Sequence, residues 1–106
     1  MAKYLVEATY KSDGLKGLLA EGGTKRREAA AKAIKSAGGK VEAFYFAFGQ
    51  SDAIVIVDLP DNVSAAAVSL AINASGAVTT KTTVLLTPGE IDEAAKKSVS
   101  YRAPGQ

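Results

Sequence analysis

Alternation of apolar and polar positions marks the first element. Tyr4, Val6, Ala8 and Tyr10 fall on one side of Lys3–Tyr10, and Lys3, Leu5, Glu7 and Thr9 on the other, which is the two-residue period of a strand. Lys11-Ser12-Asp13-Gly14 then reads as a turn, with a helix cap at Ser12 or Asp13. Leu15, Leu18 and Leu19 stand at i, i+3, i+4 and predict a short helical turn, stopped by Glu21-Gly22-Gly23. Thr24 is placed to cap a helix from Lys25 to about Ala37, whose apolar stripe is Ala30, Ala33, Ile34 and Ala37. Side chains that small let a helix lie close to a sheet. Gly38-Gly39 ends the helix, since glycine accepts a left-handed terminus without strain.

Val41–Pro60 has a different rhythm. Two apolar, aromatic and β-branched runs flank Gly49-Gln50-Ser51-Asp52, a pattern that predicts a β-hairpin. Phe44, Phe46 and Phe48 are expected on one face of its first strand, and Val41, Ala43, Tyr45 and Ala47 on the other. Ala53–Val57 has no polar residue in five, the mark of a strand covered on both sides. Pro60-Asp61-Asn62 opens a second main helix with Asp61 or Asn62 as its cap. Ala65, Val68 and Ile72, with Leu70 and Ala71, are expected on its buried side, and Ala74-Ser75-Gly76 closes it. Ala77–Thr87 is a long β-branched run and the fourth strand. Val78, Thr80, Thr82, Val84 and Leu86 share one face, opposite Thr79, Lys81, Thr83, Leu85 and Thr87. After Pro88-Gly89 a short helix is expected over Glu90–Ser98, with Ile91, Ala94 and Ala95 on one side.

The order β-α-β-β-α-β plus a terminal helix predicts an α+β, ferredoxin-like domain over residues 1–98, followed by a polar tail at 99–106. Its antiparallel sheet would run 4-1-3-2 with the helices on one face. The other face would be bare, yet its strands are apolar there too. A large exposed apolar sheet face marks an interface, so two sheets are expected to pack face to face across a two-fold axis. The expected partner is the chain itself, as a homodimer or higher homo-oligomer, and the tail Val99–Gln106 is expected to lie on it.

Composition narrows the chemistry. The 106 residues contain neither histidine nor cysteine, which removes Ser-His-Asp and Cys-His nucleophiles and the usual zinc, copper and haem ligands. No metal or other cofactor is expected. No apolar run approaches the length needed to span a bilayer, and the opening stretch carries Glu7, so a soluble cytoplasmic protein is expected. A net charge of +2 is too small to argue for nucleic acid, and neither nucleic acid nor a membrane is expected as a partner. The charges are unevenly spread, however. Lys11–Lys40 is rich in lysine and arginine, whereas Val41–Thr80 holds no basic residue. The basic layer reads as a solvated helix surface, a subunit contact or an anion site. At this length a sizeable ligand pocket is more easily built between subunits than within one chain.

Four segments together resemble the GYD-domain family, part of the dimeric α+β-barrel group. They are Gly23-Thr24-Lys25-Arg26-Arg27-Glu28-Ala29, Gly38-Gly39-Lys40-Val41-Glu42-Ala43-Phe44-Tyr45, Phe48-Gly49-Gln50-Ser51-Asp52 and Ser75-Gly76-Ala77-Val78-Thr79-Thr80-Lys81-Thr82. Pro60-Asp61 also fits. The family's Gly-Tyr-Asp stands here as Gly49-Gln50-Ser51-Asp52, with Ser51 where the tyrosine would be. The resemblance implies the fold and a homo-oligomer. It implies no activity: barrel relatives include haem-dependent enzymes and cofactor-independent oxygenases, and fold does not carry function.

Three constellations are candidates for chemistry. Asp52 reads either as a turn residue bonding backbone N–H groups or as a general base at the mouth of a sheet pocket. Thr24, Arg26 and Arg27 stand at a helix N-terminus, where the dipole disfavours cations. That arrangement invites an anion, either a ligand phosphate or carboxylate or a carboxylate such as Glu28 or one from a partner subunit. The preceding glycines are not a P-loop, because the lysine before Thr24 is missing. Glu7 and Lys81 sit inside neighbouring strands and read as a cross-strand ion pair, or, facing the intersheet space with Tyr45 or Tyr10 nearby, as an acid/base pair. Two functions follow. One is a small oligomeric module, structural or binding a small anionic ligand. The alternative is a cofactor-independent enzyme, isomerase- or oxygenase-like, with Asp52, Tyr45, Glu7 or Lys81 at a site between the sheet and a partner subunit.

Overall fold

A computed structural model describes residues 1–106. The elements in order are β1 (Ala2–Tyr10), α1 (Ser12–Glu21), α2 (Gly23–Ser36), β2 (Lys40–Phe46), β3 (Ala53–Leu59), α3 (Asn62–Ala74), β4 (Val78–Leu85) and α4 (Pro88–Lys96). The strands form one antiparallel sheet in the order β2-β3-β1-β4, which is the expected order and the ferredoxin-like arrangement. No helix is long and apolar enough to cross a membrane.

Local signals account for most boundaries. The Asp61 side chain accepts the Ser64 N–H at 2.8 Å and caps α3, as the sequence predicts. That bond holds the Asp61 carboxyl below its ordinary value of 3.8. Gly38, at φ 88°, turns the chain out of α2, and its N–H and that of Gly39 return to the carbonyls of Lys35 and Ile34, a Schellman terminus. Gly39 is constrained a second way: an added Cβ would run into the Asp58 carbonyl of β3. Thr87 and Glu90 form a capping box that starts α4. At α2 the expected cap moves. Gly22, at φ 84°, is the N-cap and Thr24 lies inside the first turn, without a capping bond.

The hairpin departs from simple alternation. A register shift between Val41 and Ala43 leaves Glu42 as an extra residue in β2. Val41 therefore pairs with Val57 and Phe44 with Val55, so both face the helices, and Val41 does not share the face of Ala43 and Tyr45. The break before β3 is wider than four residues, because pairing ends at Phe46 and Ala53. Phe48, expected on the strand face, lies fully exposed in that loop. On α3 the buried side is narrower than predicted: Ala65 is buried and Val68 and Ile72 half-buried, while Leu70 and Ala71 face outward.

Buried residues gather in two clusters on the helix-covered face. One comprises Tyr4, Ile34, Val55, Val57, Leu59 and Ala65. The other comprises Ala8, Tyr10, Ala53 and Val78. Beyond β4 the chain leaves the body. Every residue from Leu86 onward is exposed, and α4 buries no residue against the body. The radius of gyration is 16.9 Å, against about 13 Å for a compact domain of this length.

Candidate functional site

β1 presents Tyr4, Val6, Ala8 and Tyr10 to the helix layer through its alternation. Over that face α2 leans on β2 and α3 leans on β4, and the two helices are not packed closely on each other. Between them α2 contributes Ala29, Ala30, Ala33 and Ile34, and α3 contributes Val68 and Ile72. Below them stand Ala8 and Ala53, both small. The gap between the helices leaves a cavity of about 210 Å³, lined almost wholly by apolar groups, with Phe44, Val55 and Val57 on the sheet side. A cavity of this size inside one chain departs from the expectation of a pocket between subunits.

One end of the cavity is polar. Tyr10, Arg26, Ile72 and Val78 line it and also line a basin on the α1 side that holds Asp13 and Glu21. Arg26 comes from the first turn of α2 and is half-buried. It has no ion-pair partner, since the chain's two ion pairs are both made by Lys3. The Glu28 pairing open to the basic segment is therefore not formed within the chain. Tyr10 is 8% exposed, and its backbone N–H donates to the Asp52 carboxylate, but its hydroxyl makes no hydrogen bond. The other buried tyrosine of β1 differs, with the Tyr4 hydroxyl donating to Asn62 Oδ1 at 2.6 Å. Of the three residues expected at the anion site, only Arg26 reaches the cavity. Thr24 and Arg27 are exposed on α2.

The uncovered face of the sheet holds the other candidates. Tyr45 pairs with Ile54, Ile54 with Glu7, and Glu7 with Lys81, so three candidate residues stand in one row across all four strands. Neighbouring strands are about 5 Å apart, which puts Glu7 beside Lys81 and Tyr45 two strands away. Glu7 and Lys81 are registered opposite each other yet form no ion pair. Ser51 Oγ lies 3.4 Å from Glu7 Oε2, and Glu7, Thr9, Gln50, Ser51, Thr79 and Lys81 surround a polar basin of about 240 Å³. Tyr10 does not join this group, because its side chain is on the opposite face. Further along, Lys3 bridges Glu42 and Asp58, the latter at 2.9 Å. Hydrogen bonds to the Glu42 and then the Asp58 carboxylate raise the Lys3 pKa above its ordinary 10.5.

Asp52 belongs to neither arrangement. Its carboxylate accepts the Tyr10 N–H at 2.8 Å, its own N–H donates to the Ala8 carbonyl and its carbonyl accepts the Ala47 N–H. These bonds tie the hairpin loop to the end of β1. The turn reading thus holds in a longer-range form: the bonded N–H belongs to another strand.

An antiparallel β2-β3-β1-β4 sheet with α2 and α3 on one face defines a ferredoxin-like α+β domain. The GYD domain model matches residues 4–95 of the chain. This protein belongs to the GYD-domain family. No curated protein matches it.

Sequence reasoning did not single out Tyr10 as a cavity residue, or the cavity itself. The available signal was alanine on both sides of the same layer, at Ala30 and Ala33 over Ala8 and Ala53. It was readable only with the register in hand.

Proposed function

We propose that this protein is a cytoplasmic, self-associating module that binds a small anionic ligand, its open sheet face packed on that of a second copy. The observation that carries the association is the open face itself. Leu5, Ala43, Ile54, Ile56 and Leu85 make an apolar band across the sheet, and Tyr45 beside it is 70% exposed. The accessible surface, 7553 Å², exceeds the roughly 5,600 Å² of a compact monomer of this mass. Much of the excess lies in the projecting α4 and tail, where Ile91, Val99 and Tyr101 are exposed. Groups of this kind are stabilised by burial against a partner. The chain itself is the partner that repeats the same apolar band, as an isologous interface requires.

Light scattering and sedimentation test the assembly. The native protein is expected as a dimer or larger, and Ile54→Asp, at the exposed edge of the band beside Tyr45, is expected to shift it to monomer with its circular dichroism unchanged. A native monomer at micromolar concentration would sink the proposal.

A second reading is favoured by the Tyr45–Ile54–Glu7–Lys81 row. An acid and a base held opposite each other without pairing, beside a polar basin, are the parts of a cofactor-independent proton-transfer site closed by the partner sheet. A structure of the assembly discriminates. A wet intersheet chamber with Glu7, Tyr45 and Lys81 converging supports catalysis there, and a dry, side-chain-filled interface excludes it.

A further inference from the structure

We infer that the cavity between α2 and α3 is the ligand site, and that its ligand is an amphipathic monocarboxylate whose apolar body fills the cavity and whose carboxylate lies between the Arg26 guanidinium and the Tyr10 hydroxyl. The inference rests on the reading of the domain as a binder of small anions and gives that reading a site and a ligand class.

Three observations converge. The cavity is apolar and about 210 Å³; a dry apolar cavity of about 150 Å³ in another protein takes up benzene, so the space suits a body somewhat larger than one aromatic ring. Tyr10 is a polar side chain more than nine-tenths buried, it lines the cavity, and its hydroxyl has no partner. The structure leaves no buried side-chain oxygen or nitrogen without a partner, so the Tyr10 oxygen stands where solvent reaches the cavity's end, with its O–H free to donate to a ligand oxygen. Arg26 is half-buried at the same end, is unpaired, and presents donors in the fork that matches a carboxylate.

The surroundings set the charge. No carboxylate lines the cavity, so a buried anion meets Arg26 and no opposing group. Asp13 and Glu21 line the basin outside. They would repel a second negative charge, which selects one carboxylate over two. The positive end of the α2 dipole adds a smaller attraction of the same sign. The ligand differs from anything the polar basin of the open sheet face would take, because Glu7 stands inside that basin.

Titration of the full chain with octanoate, octan-1-ol and octanedioate tests this, followed by calorimetry and thermal denaturation. Octanoate is expected to bind once per chain and raise the melting temperature with concentration. Octan-1-ol and octanedioate are expected to bind more weakly. Arg26→Gln and Tyr10→Phe should each weaken octanoate by about tenfold or more, the factor carried by a lost charge-assisted hydrogen bond, and leave octan-1-ol unchanged. Ala30→Leu should abolish both by filling the cavity. Should Ala30→Leu fail to fold, nuclear Overhauser contacts from octanoate to the Phe44 ring decide the site. No binding at millimolar octanoate would overturn the inference, as would undiminished binding to a folded Ala30→Leu, absent Phe44 contacts, or octanedioate binding as tightly as octanoate. Light scattering on the same samples separates the two proposals. A monomer that binds octanoate keeps the site and loses the assembly, and an oligomer that binds nothing does the reverse.

Discussion

The two ends of β1 present a tyrosine to the same helix layer and surround it differently. Tyr4 is 1% exposed and packs with Ile34, Val57, Leu59 and Ala65, and its hydroxyl is bonded to Asn62 at the start of α3. Tyr10 is nearly as buried, but its neighbours are Ala8, Ala53 and Val78, and its hydroxyl is free beside a cavity and an unpaired arginine. Side-chain size explains the contrast. Leucine, valine and isoleucine close the packing around Tyr4, whereas Ala8 and Ala53 leave room beside Tyr10, and the cavity runs from there between the helices as far as Ile34, Val55 and Val57. A protein interior normally leaves few voids larger than a water molecule. The hollow end is therefore where a ligand is best accommodated, and the closed end is where the fold gets its rigidity.

The largest expected effect tests that division of labour. Leu59→Ala removes a side chain packed on all sides and should cost about 2–5 kcal/mol, whereas Val78→Ala at the hollow end should cost about 1 kcal/mol, since fewer atoms there lose contacts. Urea unfolding measures both, and equal losses would break the comparison. Next in size, Ala30→Leu should stabilise the ligand-free protein by about 1 kcal/mol, as cavity-filling substitutions do. A destabilised variant would mean the helices close over the cavity in solution.

The smallest effect concerns α3, which roofs both ends. Asp61 caps it, and the Ser64 N–H lowers its pKa from 3.8. Because the folded value lies below the ordinary one, the stability it lends is in place above pH 3.8 and is lost as the pH falls through the folded value. Asp61→Ala should lower the melting temperature at neutral pH, and the gap between the two proteins should close in acid. A gap unchanged in acid would remove the capping carboxylate as its source.

Strand order, helix order and the Asp61 cap were legible in the residues, because alternation, capping and glycine placement act over a few positions. That Glu7 and Lys81 lie in neighbouring strands was legible too, but not that the register sets them opposite each other, nor that they form no ion pair. The bulge at Glu42 was not, and it changed which face Val41 occupies, since one inserted residue inverts the side-chain phase of a strand. Asp52 showed the same limit. Its turn role could be named, yet its partner, the Tyr10 N–H, lies 42 residues away. Thr24, Arg26 and Arg27 share a helix N-terminus in the sequence, and the fold separates them: only Arg26 is half-buried and lines the cavity.

The sequence by itself determined the ferredoxin-like order of elements, the family, and the want of histidine and cysteine chemistry, since these follow from local periodicity and composition. Only the tertiary structure decided that α2 and α3 stand apart, that the space between them is apolar, and that Tyr10 and Arg26 meet at its end. The reason is physical: a cavity is the volume left by residues distant in the chain, and no local pattern records how far apart two helices come to rest.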